Sequence, residues 1–430
     1  MPAFLNTADA GFAHQFDLLI AARGDDERDV AETVAQIIAD VRARGDDAVC
    51  ELTARFDRID LAERGLRVSD AEIDAAVAQV APQTRHALEL SRDRIEAYHA
   101  RQLPADDRYT DAQGAELGHK WTAVESVGLY VPGGLASYPS SVLMNAVPAK
   151  VAGVARVAMV VPTPHGEANP LVFAAARLAG VDEIYRIGGA QAVAALAYGT
   201  QTVEPVAKIV GPGNAYVAEA KRQVFGVVGI DSIAGPSEVL VVADAGNDPA
   251  WIAADLLAQA EHDANAQSIL ITDDTEFAGK VAREVEAQLA TLPRGNIAGA
   301  SWERFGAIIT VETLDEAPSL VDRLAPEHLE LAVGDPEALL GRIRNAGAIF
   351  LGAHTPEAAG DYVAGPNHVL PTSRTARFSS GLSVLDFMKR SSILRLSADA
   401  LRALGPAAMT LADAEGLDAH ARSIALRLDS

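Results

Sequence analysis

Cysteine is almost missing from the 430 residues, where Cys50 stands alone. One thiol cannot make an intrachain disulfide, and it leaves any metal site to His, Asp, Glu or Gln. Long apolar runs are missing as well: none approaches the roughly 18 residues of a membrane span, and Met1 to Arg23 shows no basic segment ahead of an apolar core. A cytoplasmic protein without a membrane partner is expected. Positive charge is scarce, with 36 Lys and Arg against 59 Asp and Glu, a net charge of −23 and no long basic patch. Counterion release needs a basic surface, so a nucleic-acid partner is not expected either. Low-complexity sequence is absent too. What is present, 49 % hydrophobic and 22 % charged residues, is the balance of a folded chain long enough for two or more domains.

Residues 1–25 carry no strong period and read as an arm packed on the body or on a partner subunit. After Asp25-Asp26, Val30, Val34, Ile37, Ile38 and Val41 recur at helical spacing until Gly45, and a second helix follows through Val49, Leu52 and Phe56. Ser69-Asp70-Ala71-Glu72 is a capping box that opens a third helix, and Pro82 starts a fourth. From Val127 the pattern becomes short β-rich runs alternating with helical ones. Strands are expected at 127–131, 157–161, 183–187 and 207–210, then in a second series at 239–242, 268–272, 307–311, 329–333 and 348–351. Such alternation implies an α/β fold of two tandem Rossmann-like units with parallel-rich sheets, after a helical N-terminal region. Past Gly381 the strands are expected to stop, leaving a small helical C-terminal tail over 398–404, 406–414 and 417–428.

Glycine marks three of the expected strand ends: Gly133-Gly134, Gly188-Gly189 and Gly211-Pro212-Gly213-Asn214. In open α/β sheets ligands bind outside the carboxyl ends of strands, so these loops are site candidates. None is a GxGxxG fingerprint, and each alone reads as a tight turn. Together the three point toward nucleotide binding.

The chemistry-bearing residues lie later. Gln259-Ala260-Glu261-His262 closes an amphipathic helix with Asp248 as N-cap and Pro249 in its first turn, and Gln259 and His262 share a face with Asp255. That face is either a solvated stripe or a chelating one awaiting ligands from elsewhere. Glu327-His328 follows Pro326 at the mouth of an expected strand, where carboxylate and imidazole can divide acid–base work. Adjacent strand residues point to opposite faces, so both serve one site only if the strand has not yet begun; a solvated strand edge is the other reading. Glu357 and Asp361 share a helix face, followed by the long polar loop that carries Asn367-His368. Gln259, His262, a late Asp and a late His form an N/O donor set suited to Zn²⁺ or Mn²⁺. Residues alone thus describe a two-unit α/β enzyme with nucleotide-binding loops and a candidate metal site.

Five stretches, 127–134, 234–238, 256–263, 325–331 and 360–385, together resemble the histidinol dehydrogenase family, and the resemblance covers nearly the whole chain. It implies an intertwined homodimer with shared active sites that oxidises L-histidinol through L-histidinal to L-histidine, the last two steps of histidine biosynthesis. It also implies two NAD⁺ used per turnover and one Zn²⁺ per site. Carried over by motif, the metal ligands are Gln259, His262, Asp361 and, lent by the other subunit, His420. Glu327 activates water and His328 is the general base. Ser237 and Glu415, with His328 and the four metal ligands, surround the substrate, and Tyr130, Gln191 and Asn214 line the NAD pocket. The implied domains are an arm at 1–25, a discontinuous catalytic and metal-bearing α/β domain at 26–126 plus 239–380, an NAD-side α/β domain at 127–238, and a tail at 381–430 reaching the partner subunit. Two rival readings are a same-scaffold dehydrogenase of another polar alcohol, such as a sulfonated diol, and a zinc hydrolase. Glu415 and His420 suit a cationic, imidazole-bearing ligand better than the first, and Gln259 is an unusual ligand for the second.

Overall fold

Strand Ser126–Tyr130 is buried along its whole length, as a strand must be when helices cover both faces of a parallel sheet. In the computed structural model, which describes residues 2–22, 30–133, 138–233 and 235–428, it is the centre of a five-stranded parallel sheet. Asp25-Asp26, Gly134 and Ala234, used above, lie outside the described residues. Across the sheet the strands run Glu183–Tyr185, Arg156–Val160, Ser126–Tyr130, Lys208–Val210, Gly229–Ile230. Numbered along the chain within this unit, that is the order 3-2-1-4-5, and the direction of winding reverses beside Ser126–Tyr130.

The second series repeats this order. Ala307–Thr310, Gln267–Thr272, Glu238–Ala243, His328–Ala332 and Ala348–Leu351 form a parallel sheet, extended by Ala3–Asn6 at the Ala307–Thr310 edge. The expected N-terminal arm is therefore an edge strand followed by helix Phe12–Ala21, whose Phe16 is wholly buried among Leu240, Ile309 and Leu320. Burying Phe16 and Leu5 supplies the apolar area that holds this segment to the body.

Two expectations about grouping need correction. Helices Ala31–Arg44 and Asp46–Asp57 place Val34, Ile38, Val41 and Val49 in one core with Tyr130, Val160 and Leu196, so the N-terminal helices cover the five-stranded sheet, not the one built from residues 239–351. Helices Asp70–Gln79 and Pro82–Ala100 add Ile73 and Ile95 to the opposite face of the same sheet. An amphipathic pattern says that a helix is covered on one side; it does not say by which sheet. The tail also contains a strand: Met388–Arg395 pairs antiparallel with Glu116–Ala123, which pairs with Asp107–Thr110. Beyond it, helix Ala398–Ala414 runs unbroken through Pro406 and packs on Asp418–Leu428. No helix among the described residues is long and apolar enough to cross a membrane.

The capping box seen in the sequence is also an anchor. Glu72 accepts from the Ser69 backbone N–H (3.0 Å) and, through both oxygens, from the Arg186 guanidinium at 3.1 and 2.8 Å. Arg186 is buried just past strand Glu183–Tyr185, and its hydrogen bonds hold Glu72 down at about 2 despite the opposing effect of burial. A carboxylate depressed in the folded state stabilises above its unfolded value and loses that contribution as pH falls through its folded value. The Glu72 side chain is 40 % exposed, which discounts the effect, so Glu72→Gln is expected to cost about 1.5 kcal/mol at neutral pH. The urea midpoint should drop at pH 7, and the gap should close between pH ~4 and ~2. Equal midpoints at pH 7 would show that Arg186 does not depend on Glu72.

Candidate active site

The site lies at the amino edge of the six-stranded sheet, where neighbouring strands Glu238–Ala243 and His328–Ala332 begin in register, His328 opposite Val239. Helix Ala317–Leu324 ends on Ala325 in the left-handed region (φ 46°), and Pro326 then delays pairing so that the strand starts at His328. Glu327 thus stands before the pleat, meeting the condition for both side chains to reach one place. Its Oε2 lies 3.7 Å from His328 Nδ1 and accepts from the Glu238 N–H at 2.9 Å. His328 Nδ1 is 2.9 Å from the Glu238 carbonyl oxygen. A carbonyl can only accept, so Nδ1 carries the ring proton and Nε2 presents a lone pair. Nε2 is buried and has no hydrogen-bond partner; the nearest Glu357 oxygen, at 3.8 Å, is beyond hydrogen-bonding range. Burial pushes His328 down to about 4, against the opposing charge of Asp361, so the ring is neutral at physiological pH.

Helix Pro249–Ala260 delivers the next group. Asp248 caps it by accepting from the Ala250 N–H (2.9 Å), with Pro249 in the first turn as the sequence suggested. Gln259 is wholly buried and His262 is half-buried just past the helix end, so the face holding Asp255, Gln259 and His262 is not a solvated stripe. Asp255 is hydrogen-bonded to Glu330, whose Oε1 accepts from the Glu357 N–H at 2.6 Å. Glu357 lies against Gln259 and, with His328 and Asp361, offers atoms within 4.8 Å of one another. Burial, and then mutual repulsion, raises Glu330 and Glu357 well above ordinary carboxylates, so this acidic group cannot be fully ionised. Asp361 approaches His368 Nδ1 (3.6 Å), and His368 Nε2 lies 3.3 Å from Ser141 Oγ on helix Pro139–Val151 of the five-stranded unit. The centre therefore touches both units. Burial depresses His368 as it does His328, with the proximity of His262 a lesser cause for both.

Tyr130, Gln191 and Asn214 sit at the carboxyl edge of the five-stranded sheet. The Tyr130 hydroxyl accepts from the Gly189 N–H (3.0 Å), Gln191 is buried in the first turn of helix Gly189–Tyr198, and exposed Asn214 caps helix Ala215–Val224. The glycines here have packing reasons of their own. A Cβ on Gly211 (φ +110°) would come within 2.1 Å of the Tyr130 carbonyl oxygen, and one on Gly133 or Gly188 would strike Pro162. Gly211 is gripped at both ends: its N–H donates to Asp231 (2.8 Å), and its carbonyl accepts from Lys221 (3.0 Å), which is ion-paired with Asp231 in the interior. This clamp fixes the 211–214 loop, the wall of the crevice where the winding reverses.

Ser237 lies immediately before strand Glu238–Ala243, beside the centre. Glu415 and His420 do not join it: both are exposed on the tail. Three contributors were not singled out as site residues from sequence. Glu357 left a trace, its spacing from Asp361. His368 was visible only as a histidine in a long polar loop. The Glu238 carbonyl, which sets the His328 tautomer, is a backbone group and leaves no trace.

A neutral, unpartnered imidazole nitrogen among carboxylates, joined to a second Rossmann-like unit, is the equipment of a two-unit α/β enzyme whose chemistry moves protons. The chain belongs to the histidinol dehydrogenase family, as the family model matching residues 21–428 shows, and is thus an oxidoreductase of histidine biosynthesis. The histidinol dehydrogenase of Nitrobacter winogradskyi is 67 % identical over 429 residues, covering 100 % of both chains, and that of Rhizobium meliloti is 65 % identical over 425 residues, covering 99 % and 98 %. The crystal structure of histidinol dehydrogenase from Elizabethkingia anophelis superposes with a TM-score of 0.95 at 35 % identity, covering 100 % of this chain and 98 % of that one.

Proposed function

We propose that this chain carries out the four-electron oxidation of L-histidinol to L-histidine through L-histidinal, as a cytoplasmic homodimer using NAD⁺ and Zn²⁺. The observation that carries the reading is the His328 ring, neutral, held by the Glu238 carbonyl through Nδ1 and free at Nε2. Such a nitrogen is ready to take a hydroxyl proton. Tyr130 and Gln191, with Asn214 on the 211–214 loop, would hold NAD⁺, which would supply the hydride acceptor in both half-reactions. Gln259, His262 and Asp361, with His420 of the partner subunit, would hold Zn²⁺, which would supply an anchor for substrate nitrogens. The residues fit that ion: the donors are nitrogen and oxygen, and with its nitrogen turned toward Glu357, the orientation that satisfies the amide, Gln259 leaves its oxygen available.

In the first half-reaction Nε2 of His328 accepts the alcohol proton as the substrate loses hydride. Burial lowers the cost of keeping the ring neutral beforehand, and Glu327 and Asp361 stabilise the imidazolium that forms. In the second, Glu327 orders and deprotonates the water that hydrates the aldehyde while the His328 imidazolium returns its proton to the aldehyde oxygen, and the ring, neutral again, takes the hydrate's hydroxyl proton as the second hydride leaves. Ser237, with Glu415 of the partner subunit, would hold the amino and imidazole ends of the substrate.

The substrate assignment is tested by offering the purified protein NAD⁺ with either L-histidinol or a sulfonated diol. Absorbance at the NADH band should rise with L-histidinol and stay flat with the diol. The reverse result would assign the site to another alcohol.

A further inference from the structure

We infer that Glu357 is a positioning residue that fixes which end of the Gln259 amide faces the metal site; the inference rests on the reading of Gln259 as a ligand. Gln259 is wholly buried and Glu357 is 2 % exposed, so neither can turn to water for a partner. With its nitrogen toward Glu357, the amide donates to Oε1 at 3.0 Å and to Oε2 at 3.3 Å. The opposite orientation would set the amide oxygen against two Glu357 oxygens of which at most one carries a proton, and would take the buried amide NH₂ away from this two-oxygen acceptor. Glu357 thereby aims the Gln259 oxygen, the only end of an amide able to bind a hard or borderline cation, away from itself and into the site.

Glu357 is itself held rigidly. Its backbone N–H donates to Glu330, and its short helix, Glu357–Tyr362, lies so close to strand Ala348–Leu351 that a Cβ on Gly360 would come within 2.6 Å of the Phe350 ring. That helix places Glu357 and Asp361 on one face, four residues apart. One short element thus presents a ligand and, beside it, the group that orients a second ligand arriving on another helix.

The test uses the full-length protein stripped of metal, with zinc affinity measured by competition against a chromophoric chelator. Glu357→Leu should weaken zinc binding by roughly 10- to 100-fold. Glu357→Gln can bond the Gln259 amide in either orientation, so its affinity should fall at least about twofold; it also serves if the leucine variant fails to fold. Gln259→Ala should weaken zinc by itself, and adding Glu357→Leu to it should cost nothing further, because Glu357 acts only through Gln259. Unchanged affinity in both Glu357 variants would overturn the inference. A full additional loss in the Gln259→Ala background would overturn it differently, by making Glu357 a ligand in its own right. If Gln259→Ala left affinity unchanged, the ligand assignment itself would fall, and this inference with it.

Discussion

Turnover of L-histidinol by His328→Asn should fall by roughly 10²- to 10⁴-fold, with zinc content close to that of the unaltered protein. The expectation comes from the geometry of one ring. His328 donates a hydrogen bond from Nδ1–H to the Glu238 carbonyl and keeps Nε2 bare, in a place where burial holds the ring neutral. Asparagine removes the bare nitrogen while keeping a small polar group, so proton transfer suffers and substrate binding much less. The loss should therefore appear in kcat more than in KM. Zinc content separates this account from the obvious competitor. His328 lies in the same group of close donors as Glu357 and Asp361, and if it were a ligand, metal would be lost along with activity.

Gln259→Ala and His420→Asn should each be inactive alone, and a mixture allowed to exchange subunits should recover roughly a quarter of the unaltered activity. The figure follows from symmetry. In an equal mixture half of the dimers are mixed; each has one site with both residues intact and one with neither. The structure motivates the pairing: Gln259 is interior, against Glu357, whereas His420 is exposed on a two-helix tail. A tail residue completes a buried centre most simply when it comes from a second copy. No recovery despite demonstrated exchange would place His420 in its own chain's site.

What the sequence made legible, and what it hid, follow from the kinds of signal involved. Strand positions in both units were readable because parallel strands covered on both faces are nearly continuous apolar runs, as in Gln267–Thr272 and Ser126–Tyr130. Strand Met388–Arg395 was hidden because Lys389, Arg390, Ser391 and Ser392 are exposed in a ribbon that builds little core, so no apolar rhythm marks it. The helices at 31–100 were readable as helices, yet their partner sheet was not, since the same apolar stripe fits either unit. The adjacency of Glu327 and His328 was plain. That they converge depends on the left-handed turn at Ala325 and on a strand that begins at His328, leaving Glu327 just outside it.

Gln259 shows the limit most clearly. Polar residues at helical spacing look alike whether they face water or a cation, and only packing against Glu357 from nearly a hundred residues downstream reveals that this one is interior. The carboxyl-end rule was a guide to half of the molecule. It located the Tyr130, Gly188 and Gly211 loops, but the acid–base centre lies at the amino edge of the second sheet, where Glu238 and His328 are the first residues of their strands.

The central claim is that one site, with metal bound, takes one substrate through two oxidations. It is tested most directly by counting NADH formed per L-histidinol consumed, with and without a chelator. Two NADH per L-histidinol, with L-histidine as product and turnover abolished by metal removal, is the predicted result; a single NADH with the aldehyde accumulating would contradict it.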